Sequence, residues 1–240
     1  MRLNNSSWLI NKPIAHRGLW GDSIVENSMT AYQNAVNNNY PIEIDVYQTK
    51  DGKLVSFHDK NLSRMTGENT FIFEKTFDEL QELSLNGTTE KIPSFDQVLE
   101  ICENKVPLLI ELKDQPSKTF IEQVVNRLKE YKGEFAIQSF NPFYLLKVKK
   151  LAPEFLRGVL GTECHANDES FITRFVLKHL TFNRFIKPDF ISYSFTGLPL
   201  PKRKVKNTPV IAWTVENQDD YNKIKPFANN IIFENFIPKK

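Results

Sequence analysis

Short apolar runs of strand length alternate with amphipathic helical stretches along most of the 240 residues, and about eight such repeats fit into that length. No Gly-rich phosphate loop follows the first strand, which argues against an open doubly wound sheet. These observations predict an α/β chain: a (β/α)8 TIM barrel, one domain over residues 1–240, with a small insertion after strand 2 at about 61–91.

The elements follow in order. Lys12 to His16 is a short strand ended by Arg17-Gly18, and Ser28 caps a helix to Asn38 with Met29, Tyr32, Ala35 and Val36 at helical spacing. Pro41 to Gln48 alternates Ile42, Ile44 and Val46 with Glu43, Asp45 and Tyr47, the period of a strand. Lys50-Asp51-Gly52-Lys53 is a turn signal, and Leu54 to Phe57 is a returning strand that presents His58. Asn61 to Thr76 reads as loop, and Phe77–Leu83 and Phe95–Glu103 as helices, the second capped by Ser94. Strand and helix then alternate: Val106–Leu112, Ser117–Tyr131, Glu134–Gln138, Pro142–Leu151, Phe155–Leu160 and Ser170–Leu180. Phe190–Tyr193, an undecided Leu198–Lys204, Pro209–Val215, Gln218–Ile224 and Asn230–Phe233 complete the series.

Composition narrows the function classes. A net charge of +2 gives no reason to expect nucleic acid. No apolar run reaches the ~20 residues of a membrane span, and the first residues lack a secretion leader, so a cytoplasmic protein with no transmembrane segment is expected. Cys102 and Cys164 read as two free, buried thiols. Oligomeric state is not legible.

The chemistry gathers between Pro13 and Gly67. Side chains two apart on a strand share a face, so Glu43 and Asp45 point together, away from Ile42, Ile44 and Val46. Two carboxylates ~4 Å apart repel by about 4 kcal/mol at an effective dielectric of 20 and demand a counter-charge. The same spacing recurs at Glu111 and Lys113. Oxygen donors favour a hard cation, Mg²⁺ or Ca²⁺, over zinc. His16 and His58 can act as acid and base, and Arg17 and Lys113 suit a phosphate. Each part has a plainer reading: a strand-end histidine in the core, Asp51-Gly52 as a turn, Glu111 with Lys113 as a structural ion pair. The shared position at strand ends favours the functional one. His165 and His179 lack such neighbours and read as solvated or structural.

With these residues in view, the chain resembles the glycerophosphodiester phosphodiesterase family. The likeness runs through His16-Arg17-Gly18, Glu26-Asn27, Glu43-x-Asp45, Thr49-x-Asp51-Gly52, His58-Asp59, Leu62-x-Arg64, Ile92-Pro93, Glu111-x-Lys113, Gln138-Ser139-Phe140 and Trp213-Thr214-Val215. It implies a barrel enzyme that hydrolyses a small-molecule glycerophosphodiester to sn-glycerol 3-phosphate and an alcohol with one divalent cation, Mg²⁺ or Ca²⁺, Mn²⁺ being a further candidate. By the same resemblance Glu43, Asp45 and Glu111 are the metal ligands, His16 and His58 the acid/base pair, Arg17 and Lys113 the phosphate contacts, and Trp213 a wall of the glycerol pocket. Water and the glycerol 2-hydroxyl both remain as nucleophile. Val25 stands where the family usually has proline, and Glu234-Asn235 where it more often has Thr-Asp.

Two rival readings stand beside this one. A phospholipase D acting on lysophospholipids would use an apolar rim, to which Phe71, Phe73, Phe195 and Leu198 could contribute. A catalytically silent phosphodiester-binding barrel would have no need of two histidines.

Overall fold

The computed structural model describes residues 3, 6–163 and 180–239. The chain divides into two compact units, residues 15–135 and residues 1–14 with 136–240.

In the first unit the sheet is built on β2 (Ile42–Gln48), buried along its whole length. It pairs in parallel with β1 (Ile14–His16) and β4 (Leu108–Leu112), and antiparallel with β3 (Leu54–Ser56), the hairpin strand that the Asp51-Gly52 turn predicts. Ile42, Ile44 and Val46 are fully buried. Each such aliphatic side chain contributes about 1.5–3 kcal/mol of burial, which fixes the face that its polar neighbours must take. Helix α2 (Met29–Asn37) starts where the Ser28 hydroxyl accepts from Ala31 N, and α5 (Phe95–Cys102) where Ser94 and Gln97 form a capping box. Helix α6 (Phe120–Glu130) buries Phe120, Ile121, Val124, Val125 and Leu128 on one face. Cys102 is a buried thiol, its ionisation pushed up to about 12 by burial.

The stretch expected as loop between Asn61 and Thr76 is not simply loop. It contains the one-turn helix α3 (Ser63–Thr66) and a 3₁₀ turn at Ile72–Glu74, followed by α4 (Phe77–Glu82). The reason is a small apolar cluster: Leu62, Met65, Ile72, Leu80, Leu85 and Ile92 pack with Val25, Tyr47, Val55 and Phe57. Isolated apolar residues at irregular spacing carry no periodic signal, although together they make a core. Val25, the departure from proline, is part of that cluster.

In the second unit β5 (Phe135–Ser139), β6 (Arg157–Gly161), β7 (Phe190–Ser194), β8 (Val210–Val215) and β9 (Asn230–Phe233) follow one another as parallel neighbours. Helix α7 (Pro142–Leu151) lies between β5 and β6 in the chain. The one-turn helices α8 (Asn183–Ile186) and α9 (Lys202–Val205) precede β7 and β8, and α10 (Gln218–Ile224) precedes β9. Two details differ from expectation. Trp8–Asn11, too short to show a period, forms helix α1, and Asn230 Nδ2 donates to its Leu9 carbonyl. The sixth strand begins at Arg157 rather than Phe155, whose carbonyl accepts from the Arg157 guanidinium. The Ser170–Leu180 helix, Cys164, His165 and His179 lie outside the described residues. Three parallel strands in one unit and five in the other make the complement of the (β/α)8 barrel.

Candidate active site

Strand register assembles the acids. In the parallel pairing of β1 with β2, His16 lies opposite Glu43; in that of β2 with β4, Asp45 lies opposite Glu111. Glu43, Asp45 and Glu111 are all buried, and each can offer an oxygen within 4.8 Å of the others. Buried carboxylates at this density need positive charge. Lys113 Nζ supplies it, 2.8 Å from Glu111 Oε1 and 3.2 Å from Asp45 Oδ1. Arg17 adds to it, with Nε 3.7 Å from Asp45 Oδ2 and its backbone N–H donating to Glu43 Oε2 at 3.3 Å.

The charges separate the two acids of β2. Burial pushes the Glu43 carboxyl well above the usual carboxylate range, and Asp45 and Glu111 push it further. Burial also acts upward on Asp45, but Lys113, His58, Arg17 and His16 outweigh it and hold that carboxyl well below the usual range. Burial pulls Lys113 down, and Asp45 and Glu111 more than reverse it. Burial and charge thus push the two acids of β2, two residues apart, in opposite directions.

Asp45 is also held by hydrogen bonds. Asn27 Nδ2 donates to its Oδ2 at 3.2 Å, the Tyr32 hydroxyl donates to Asn27 Oδ1 at 2.8 Å, and Ser56 Oγ lies 2.6 Å from that hydroxyl. These bonds run from β3 through α2 and the Asn27 loop to β2. Asn27 takes a left-handed conformation, φ 52°, which asparagine tolerates better than most residues.

His16 ends β1, and Arg17 opens the loop that follows. Trp20 Nε1 donates to the His16 carbonyl at 2.9 Å, and His16 Nε2 lies 3.9 Å from Glu43 Oε2. Gly18 has φ +86°, and a Cβ there would come within 2.8 Å of the Ala31 backbone, so the loop can press against α2 only with glycine at that position.

A second set of groups forms the rim. His58 Nδ1 is 2.7 Å from Asp59 Oδ1. Arg64 Nε donates to Asp59 Oδ2 at 2.5 Å and its Nη2 to Glu26 Oε1 at 2.5 Å, while Arg17 Nη1 donates to the same Glu26 oxygen at 2.9 Å. Burial raises the Asp59 carboxyl, and the bonds from His58 and Arg64 bring it well below its usual range.

Seven of the eight site residues expected from sequence therefore lie in the first unit: His16, Arg17, Glu43, Asp45, His58, Glu111 and Lys113. Trp213 is on β8 in the second unit, where its ring meets Phe140 edge-on at 5.6 Å. Arg17 and Lys113, expected at a phosphate, are in ion pairs with the acids. Sequence reasoning gave no role to Asp59, Arg64, Tyr32 or Ser56. The motifs His58-Asp59 and Leu62-x-Arg64 were usable signals for the first two, whereas Tyr32 and Ser56 depend on tertiary contacts.

Sequence and structure comparisons bear on this geometry. The profile of the glycerophosphoryl diester phosphodiesterase family matches residues 16–238. YhdW of Bacillus subtilis, provisionally named a glycerophosphodiester phosphodiesterase, is 31% identical over 233 residues, covering 88% of this chain and 89% of its own. Human lysophospholipase D GDPD1 is 32% identical over 138 residues, 52% of this chain and 43% of its own length. Among solved structures, an Oleispira antarctica phosphodiesterase in complex with the product sn-glycerol-3-phosphate superposes with a TM-score of 0.77 at 24% identity, covering 94% of this chain and 93% of that one. The strand complement and this likeness give the fold as a (β/α)8 barrel. With nearly the whole length matched, the chain belongs to the glycerophosphoryl diester phosphodiesterase family and is a phosphoric diester hydrolase.

Proposed function

We propose that the chain hydrolyses glycerophosphodiesters to sn-glycerol 3-phosphate and an alcohol by acid/base catalysis with His16 and His58. One divalent cation would be held by Glu43, Asp45 and Glu111. The observation that carries the reading is the strand register, which sets His16 beside Glu43 and Asp45 beside Glu111. Three buried carboxylates with oxygen donors only fit Mg²⁺ or Ca²⁺, with Mn²⁺ as a substitute. Bound there, the cation would supply positive charge to the phosphoryl oxygens.

The chain's own groups do the rest. His58 has Nδ1 engaged by Asp59, which leaves Nε2 as the atom that exchanges a proton. One histidine withdraws a proton from the nucleophile, and the other protonates the leaving alcohol oxygen. Arg17 and Lys113 contribute fixed positive charge where the phosphate is bound. The family resemblance assigns Trp213 to the glycerol pocket. The product bound to the Oleispira antarctica enzyme supports the substrate class. No helix of the described residues is long and apolar enough to cross a membrane.

One observation favours a second reading. Phe71 is 39% exposed and stacks on Phe73 at 5.4 Å, an apolar feature suited to an acyl chain, and GDPD1 is named a lysophospholipase D. Coupled detection of glycerol 3-phosphate, with a parallel choline assay, tests both. Glycerol 3-phosphate from glycerophosphocholine, lost on chelation, supports the first; choline from lysophosphatidylcholine alone supports the second; activity untouched by complete metal removal contradicts the three-carboxylate site.

A further inference from the structure

Arg64 touches two carboxylates that serve two different loops. Its fork is bidentate on Asp59, through Nε to Oδ2 at 2.5 Å and Nη2 to Oδ1 at 3.2 Å, and the same Nη2 meets Glu26 Oε1 at 2.5 Å. Asp59 goes on to His58 Nδ1, and Glu26 to Arg17 Nη1. A guanidinium suits this geometry because its planar donors can engage two acids at once, which an ammonium cannot match.

The backbone beneath these groups is held by one apolar cluster. Val25, Phe57 and Met65 are all members of it, all under a tenth exposed, and they adjoin Glu26, His58 and Arg64 in the chain. Polar tip and apolar root therefore alternate. The cluster fixes where each backbone lies, and Arg64 fixes how the side chains meet.

We propose that Arg64 is a positioning residue that couples His58, through Asp59, to Arg17, through Glu26, so that the general acid/base and the phosphate-binding cation are set by one side chain. This rests on the roles proposed above for His58 and Arg17. With Asp59 held by Arg64, the carboxylate accepts from His58 Nδ1–H and keeps Nε2 toward the reacting atoms. Without Arg64, Asp59 is free to turn toward solvent, and Glu26 keeps only Arg17.

The test combines kinetics with nitrogen-15 NMR of the histidine rings, His58 being assigned by its absence in His58→Ala. In the native enzyme His58 is expected as the Nδ1–H tautomer, and Arg64→Gln should shift it toward the Nε2–H form. The kcat should fall by about 10–100-fold, the range for loss of a supporting contact to a reacting group, with a smaller change in KM. Asp59→Asn combined with Arg64→Gln should cost less than the product of the two single losses, since both remove the Arg64–Asp59 contact. Arg64→Lys keeps the charge without the fork and should fall between, and it serves where the glutamine variant fails to fold. An unchanged tautomer with unchanged kcat in Arg64→Gln, or losses that multiply independently in the double variant, would overturn the proposal. The NMR readout stands even if the chain hydrolyses no diester, so failure of the coupling and failure of the proposed activity are distinguishable.

Discussion

The first unit carries two charge networks of opposite design. The floor is made of Glu43, Asp45, Glu111 and Lys113 on β2 and β4 and just beyond, where each carboxylate is at most 8% exposed. The rim is made of His58, Asp59, Arg64, Glu26 and Arg17 on loops and a one-turn helix, with the Arg64 side chain 48% exposed. On the floor, three carboxylates share Lys113, and burial together with the neighbouring acids pushes the Glu43 carboxyl upward. On the rim, two arginines meet two carboxylates and the charges balance. An unbalanced buried network is costly unless something else binds there, whereas a balanced one near solvent orients its members at little cost. In the proposed function the floor would hold the cation and the rim would aim side chains.

The comparison can be broken first at the histidines. If His58 on the rim and His16 beside the floor share the proton transfer, His58→Ala and His16→Ala should each lower kcat by about 10²–10⁴-fold with the thermal midpoint little changed. Full turnover in either variant would contradict the acid/base pair.

A second variant sharpens the floor. Lys113→Met removes the cation between Asp45 and Glu111, and breaking a buried pair costs about 3–5 kcal/mol. Melting followed by circular dichroism should show this loss in chelator, with much of it recovered on adding Mg²⁺, Ca²⁺ or Mn²⁺. An equal loss with and without the cation would mean that the floor is only structural.

The smallest effect is a pH dependence of the rim. The Asp59 carboxyl is held below its usual range, so its stabilisation is fully present above the ordinary carboxylate pKa, about 3.9, and disappears as pH falls through the lower folded value. The melting difference between the native chain and Asp59→Asn should thus be constant near neutrality and shrink only below about pH 4. A difference that shrinks between about pH 6 and 8 would assign the effect to another group.

The two networks also differ in how far the sequence reveals them. Glu43, Asp45 and Glu111 are visible because charged residues alternate with aliphatic ones on strands, and period two places them on one face without knowledge of the fold. Glu26 and Arg64 meet across 38 positions, through a segment whose apolar residues have no regular spacing. Only the tertiary structure joins them. The order of strands and helices was legible for the same reason as the floor, whereas α1, α3 and the true start of β6 depend on packing or local contacts that leave no periodic trace. Lys113 shows the limit of residue-type reasoning: a lysine beside an acidic strand suits a phosphate, yet its contacts in the structure are Asp45 and Glu111.

The central claim is that the floor holds one divalent cation. Isothermal titration calorimetry of chelator-treated protein with Mn²⁺ tests it directly. One cation bound per chain, and none when Glu43, Asp45 and Glu111 are replaced together by their amides in a variant that retains its circular dichroism spectrum, is the result predicted. Binding that survives in the triple amide variant, or native protein that binds no cation, would contradict it.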